Sequence, residues 1–144
     1  MPKQQLDNLV AVGDLKAETP AGAEIEGLIR SGEKRLRDAE NESLAIESRF
    51  DLAYNAAHAL SLAALRWHGY RPNNKRYIVF QALAHTLSLP AAQWRVLADA
   101  HRRRNVIEYE GLADVDEALL NAVLRVTREV AQRVHALGPV NETG

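Results

Sequence analysis

The chain has 144 residues, 47% of them apolar and 26% charged, which is enough for one hydrophobic core and too little to suggest two domains. Eighteen Lys and Arg against nineteen Asp and Glu leave a net charge of −1, so there is no global argument for a polyanionic partner; within residues 51–110, however, eight basic residues face four acidic ones, and the positive charge sits in the middle. The absence of cysteine excludes disulfides, thiolate catalysis, cysteine-ligated zinc and iron–sulfur clusters. The first ten residues lack the apolar core of a signal peptide and no stretch approaches the roughly 20 apolar residues of a membrane span, so the expectation is a cytoplasmic protein without membrane contact.

Apolar residues recur at three- and four-residue spacing throughout, and no run alternates with period two, so the chain reads as all-α and strands are not expected. Residues 1–19 read as an N-terminal extension with a short helix carrying Leu6, Leu9 and Val10 and ending near Gly13. After Thr19-Pro20 the first long helix places Ile25, Leu28, Ile29, Leu36 and Ala39 on one side, weakened by Gly27 and Gly32. A second helix is expected from about Ser43. Its positions Ile46, Phe50, Ala53, Ala57, Leu60, Ala64 and Trp67 follow alternating steps of four and three, a buried stripe whose alanines would let a partner helix approach closely. It ends in the Gly/Pro/Asn cluster of residues 68–74, which reads as a loop.

A third helix is expected over about Lys75 to Ser88, and Pro90 opens a fourth on which Trp94, Leu97 and Ala100 start an apolar face. Gly111 is expected to close it and Asp114 or Asp116 to cap a fifth, lined by Leu119, Val123, Val126, Val130, Val134 and Leu137. Gly138-Pro139 stops that helix, and 139–144 reads as a disordered tail. Residues 20–138 thus form one domain, an antiparallel four- to five-helix bundle.

The fourth helix carries the most informative run, His101-Arg102-Arg103-Arg104-Asn105, followed by Tyr109 and Gly111. On an ideal helix His101, Arg104 and Glu108 fall on the face that Trp94 and Leu97 begin, so the inward face turns polar halfway along. An arginine there either meets a carboxylate, for which Glu108 four residues on is the local candidate, or opens onto a cleft or subunit interface. Arg102 and Arg103 project to the flanks, where solvent and the helix macrodipole suffice to account for them.

Three segments together, Arg49-Phe50-Asp51-Leu52-Ala53-Tyr54-Asn55-Ala56-Ala57, the turn Gly69-Tyr70-Arg71-Pro72, and Arg104-Asn105-Val106-Ile107-Glu108-Tyr109, resemble the HEPN superfamily (higher eukaryotes and prokaryotes nucleotide-binding domains) over about Ser43 to Leu137. The resemblance implies a bundle that dimerises, with a metal-independent ribonuclease site in the dimer cleft made by an Arg and, four to six residues on, a His. It places Arg104 on that Arg, Asn105 on the polar residue that often follows, and Tyr109 where the His would be. A phenol with pKa near ~10 donates a hydrogen bond but is a poor base at neutral pH, unlike an imidazole near ~6.5. Five residues also turn an ideal helix through about 140°, so Arg104 and Tyr109 would converge only across a dimer cleft or where the helix frays. His101, on the Arg104 face, is the other imidazole available, although nothing in the family pattern supports it in that role.

A second candidate is the loop from Arg66 to Tyr77, in which basic residues interleave with Trp67, Tyr70 and Tyr77, a composition suited to single-stranded nucleic acid although a basic loop is also commonly just solvated. The RNA-contacting set is therefore His101, Arg102 and Arg103 with Arg71, Lys75 and Arg76. None of the five histidines stands in metal-ligand spacing and no Gly-rich phosphate loop occurs, so neither metal nor cofactor is expected. His58 and His85 read as bundle hydrogen-bonders, and Asp7, Asp14, Glu18, Glu24 and Glu26 as solvated surface. The resemblance implies a homodimer that engages RNA or a nucleotide, of toxin–antitoxin or defence type. The alternative is a non-catalytic module partnering a nucleotidyltransferase or another protein, and the plainest reading is a structural bundle with an Arg104–Glu108 ion pair.

Overall fold

The computed structural model describes residues 2–110 and 115–140, with side chains described for 3–105 and 115–140. The chain runs α1 (Pro2–Ala11), β1 (Leu15–Ala17), α2 (Gly22–Ala39), α3 (Ile46–Trp67), β2 (Tyr70–Pro72), α4 (Ile78–Gln81), α5 (Leu83–Thr86), α6 (Ala91–Glu110) and α7 (Glu117–Ala136). It is an all-α bundle built around α3, which packs along α2 and α7 and is crossed at its ends by the shorter elements. Among the described residues no helix is long and apolar enough to cross a membrane.

The small residues of α3 do what their spacing predicts. Ala53, Ala56, Ala57, Ala63 and Ala64 are fully buried, and Gly32 of α2 lies directly over Leu60 and the Ala56 carbonyl. Helix axes approach this closely only where side chains are short. The α2–α7 contact is held at its rim by an ion pair, Arg128 with Glu40 at 3.0 Å, and by a hydrogen bond between His135 Nε2 and the Glu33 carboxylate. Arg49 at the start of α3 donates to the Ala39 carbonyl at 2.8 Å, satisfying an acceptor that the end of α2 leaves unpaired. Asp116 caps α7 by accepting from the Leu119 amide at 2.8 Å.

Four features differ from the sequence expectation. First, β1 and β2 pair antiparallel, Leu15 opposite Pro72 and Ala17 opposite Tyr70; three-residue strands are too short for alternation to register in sequence. Second, α3 starts at Ile46 rather than Ser43, because the Asn41 side chain takes the Ser43 amide at 3.0 Å and the Leu44 amide bonds the Asn41 carbonyl, a turn that holds the chain out of the helix. Third, the helix expected over Lys75 to Ser88 is broken into two single turns. The Ile78, Val79 and Phe80 amides reach back three residues rather than four, the tighter pattern of a 3₁₀ connector, and Ser88 adopts a left-handed backbone at φ 53°.

The fourth difference is the acidic set near the N-terminus. Arg66 is buried in α3, and its three nitrogens meet the Glu24 carboxylate at 2.7 Å, the carbonyls of Glu18 (3.0 Å), Thr19 (2.9 Å) and Tyr70 (3.4 Å), and the Glu18 carboxylate at 3.5 Å. Arg71 bonds the same two carboxylates. Burial works to raise the Glu24 pKa, but the hydrogen bonds from Arg66 and Arg71 prevail and lower it. Asp7 in α1 accepts from the Tyr70 hydroxyl, and burial together with that bond pushes the phenol up to about 12. Three carboxylates expected in solvent thus anchor α1 and β1 to the bundle, with Leu6 and Leu15 buried beneath them.

The two glycines of α2 give opposite expectations. A Cβ on Gly32 would stand 2.7 Å from Leu60 Cγ and 3.3 Å from the Ala56 carbonyl oxygen, whereas one on Gly27 would meet nothing within 4 Å. Gly32→Ala is predicted to lower stability by about 1–2 kcal/mol, overpacking outweighing the helix-propensity gain. Gly27→Ala should raise it by about 0.5–1 kcal/mol. Urea denaturation midpoints of the two variants check the signs.

Candidate functional site

Residues Asp51, Tyr54, Asn55 and His58 are spaced at i, i+3, i+4 and i+7, which puts them on one face of α3. His101, Arg104 and Asn105 do the same on α6. The two faces meet, and the segment before α4 brings Arg76 and Tyr77 to the same place.

At the centre is Tyr54, 1% exposed, packed edge-on to Phe80 at 5.8 Å between ring centroids. Its hydroxyl lies 2.8 Å from His101 Nδ1, and the Asn105 amide nitrogen is 3.3 Å from His101 Nε2. With that amide donating to Nε2, the ring proton resides on Nδ1 and is donated to the Tyr54 oxygen. The Arg104 guanidinium carbon stands 4.9 Å over the Tyr54 ring, a cation–π contact, and Arg104 Nε reaches Asp51 Oδ1 at 3.3 Å. Asn55 steadies Asp51, donating to its carbonyl at 2.9 Å and its carboxylate at 3.3 Å. On the other side Arg76 Nε donates to His58 Nε2 at 3.4 Å, and the Tyr77 ring, 37% exposed, lies 5.9 Å from His101.

The electrostatics follow first from burial and then from the neighbouring cations. Burial lowers the His58 pKa to about 4, reinforced by the charges of Arg76, His101 and Arg104. Burial also lowers His101, again with Arg76 and Arg104 contributing. Both rings are therefore neutral near pH 7, as their hydrogen bonds require, since each accepts at Nε2. Two guanidiniums and two neutral imidazoles surround a phenol, with Asp51 as a carboxylate at the edge. That edge pair is weak: the Asp51 side chain is 56% exposed and its contact long, so it contributes at most about 1 kcal/mol and can be exchanged for another anion.

Of the residues expected from sequence, the structure brings together His101, Arg104, Asn105 and Arg76. Arg104 lies on the inward-facing side of α6 as the helical wheel placed it, but its described carboxylate partner is Asp51 of α3; the side chains of Glu108 and Tyr109, and Gly111, lie outside the described residues. Arg102 turns away to Asp99 at 2.8 Å, and Arg103 is exposed. Arg71 sits at the far end of α3 with Glu18 and Glu24, and Arg66 is buried there, so the loop from Arg66 to Tyr77 does not form one basic surface. Lys75 is exposed beside Arg76. His58 does hydrogen-bond within the bundle, yet it belongs to the same cluster as His101, and Asp51 and Tyr54 complete it. Their signal in the sequence is the 51/54/55/58 spacing, a polar stripe on the flank of the alanine stripe. His68 bonds the Thr86 carbonyl and His135 bonds Glu33; among the described residues no group of three or more potential ligands is placed to hold a metal.

No protein-family model matches the chain, and no curated protein is detectably similar to it.

The His58 environment predicts a pH dependence. Its folded-state pKa lies below the value near 6.5 of an unfolded chain, so between about pH 6.5 and 4 the unfolded state binds the additional proton and stability falls on acidification; above about 6.5 this group has no effect. In an NMR titration the His58 ring should stay neutral down to about pH 4, and Arg76→Ala should raise its midpoint. A midpoint near 6.5 in the unsubstituted protein would contradict the arrangement.

Proposed function

We propose that this chain is a HEPN-like homodimeric cytoplasmic protein that binds RNA or a nucleotide through a phosphate at the α3–α6 cluster. The observation that carries the reading is the convergence of Arg76 and Arg104 on His58 and His101 beside Tyr54, where burial, reinforced by the two guanidiniums, lowers both imidazole pKa values and the exposed Asp51 carboxylate lies at the edge. A phosphate bound there takes the place of Asp51 on Arg104 and relieves the repulsion among the cations. The exposed Tyr77 ring offers a face to a base. Asn105, beside Arg104, fixes the His101 ring.

Binding is favoured over cleavage by the state of the histidines. Both nitrogens of His101 are engaged, by Tyr54 and by Asn105, and His58 is tied to Arg76, so neither is presented as a proton acceptor for a 2′-hydroxyl. If a cleft between two copies supplies Tyr109 of the second copy, Arg104 is the group that would stabilise charge on the phosphate.

Arg104→Ala is expected to weaken uridine monophosphate binding at least tenfold, with Arg104→Lys intermediate because a point charge replaces a bidentate fork. Calorimetry checks this, and binding indifferent to both Arg104→Ala and Arg76→Ala would sink the proposal. Incubating single-stranded RNA in chelator decides the chemistry: cleavage lost in Arg104→Ala makes the protein a metal-independent endoribonuclease, whereas intact RNA at high protein concentration leaves the binding module, partner of a nucleotidyltransferase or another protein. Light scattering that gives a strict monomer at high concentration would remove the dimer.

A further inference from the structure

A second cationic feature lies outside this cluster. Between α2 and the start of α3 runs an open groove of about 640 Å³ whose lining includes Arg30, Lys34, Arg35 and Arg37, against one carboxylate among the described residues, Asp38. On the α2 wheel Arg30, Lys34 and Arg37 fall within about 60° of one another and span about 10 Å of helix axis. All three are exposed, and among the described residues none of them is in an ion pair. Arg35 stands to the side, donating to Ser31, and Glu33 is turned to His135 on the opposite flank. Three cations on one face, outnumbering the neighbouring carboxylates Glu26 and Asp38 and paired with neither, repel one another and are stabilised by a ligand that supplies regularly spaced anions.

We propose that this groove is a sequence-independent track for the sugar–phosphate backbone of single-stranded nucleic acid, in which Arg30, Lys34 and Arg37 each neutralise a phosphate. The proposal rests on the reading above for the class of ligand and extends it: the bound molecule is a chain, held at a second place, not a mononucleotide. The floor of the groove includes Leu52, the residue next to Asp51 on α3, so track and cluster share the first half of that helix. Among the described residues no aromatic side chain lines the groove, so the backbone is gripped and the bases are left unread. An anionic membrane surface suits it less well: the groove is concave, Leu52 is half-buried, and the exposed large apolar side chains among the described residues, Val12, Leu44 and Tyr77, lie outside its lining.

The test uses the full chain, a labelled dodecauridylate, and fluorescence anisotropy over 50–200 mM salt. In the triple variant Arg30→Gln, Lys34→Gln, Arg37→Gln, folding being checked by circular dichroism, the slope of log K against log salt is expected to be shallower by about 2, from three single-strand phosphate contacts at about 0.7 each. Uridine monophosphate binding, read from the His101 ring signals, is expected to be unchanged. An unaltered slope overturns the track, and so does a protein that ignores the oligonucleotide but binds phosphatidylserine vesicles through these three residues. If the slope changes while Arg104→Ala and Arg76→Ala have no effect on the mononucleotide, the track stands and the α3–α6 site falls. If Arg104→Ala abolishes mononucleotide binding and the triple variant leaves the slope as it was, the site stands and the track falls.

Discussion

A buried guanidinium holds the N-terminal elements to the bundle. Arg66 is 1% exposed, and a charge so placed is tolerated only when every donor is occupied; Glu24, Glu18 and three backbone carbonyls supply the acceptors. The carboxylates keep part of their hydration, with side chains 34% and 42% exposed, so the desolvation cost falls mainly on the arginine. Losing one partner of such a pair costs about 3–5 kcal/mol, more than a typical core methyl group, because the charge that remains is stranded. The acceptors come from Glu18 and Thr19 just after β1, from α2 and from β2, so one side chain of α3 fixes how three segments dock. Gly69, at φ 92° in the turn between α3 and β2, lets the chain reverse within reach of that side chain.

Fixing the end of α3 also orients its beginning. With the alanine stripe turned to α2 and α7, the flank carrying Asp51, Tyr54, Asn55 and His58 faces α6 and the α4 turn. The cluster is therefore a by-product of helix packing: small residues decide which way the helix faces, and the polar residues one step round the wheel are then placed opposite another polar run. This also explains how a buried tyrosine can sit beneath an arginine. Its ring is packed by Phe80 and its hydroxyl is satisfied by His101, so Arg104 can lie on the ring face without burying an unpaired group.

The long helices were legible in the sequence because their apolar residues repeat over five or six turns, and the caps at Pro90 and Asp116 marked their starts. The two short strands and the broken segment over 75–88 were not, since three or four residues cannot establish a period and tertiary contacts decide their shape. The role of Glu18 and Glu24 was hidden for a different reason: nothing local distinguishes an acid that meets an arginine more than 40 residues away from one that meets water. At the candidate site, the 101/104/105 face could be drawn from one helix alone. Its complement on α3 could not be paired with it, because the wheel gives a face and not the neighbour that the face meets. The wheel of α6 offered Glu108 as a local partner for Arg104, but it could not show that Asp51 of α3 also comes within reach of the guanidinium.

The same distinction bears on how charge is used in this chain. A net charge of −1 hides two cationic concentrations that are built differently. At the α3–α6 cluster the arginines lie against buried rings, and their field adds to the burial that keeps the neighbouring imidazoles neutral. In the α2 groove the cations are exposed, held only by helix geometry, and act on solvent and counterions. The first arrangement discriminates, since a ligand must match fixed donors; the second concentrates any flexible polyanion and is screened by salt. Leu52 of the groove follows Asp51 of the cluster on α3, so under the proposals above a chain held along α2 would raise the local concentration of its phosphates near Arg104.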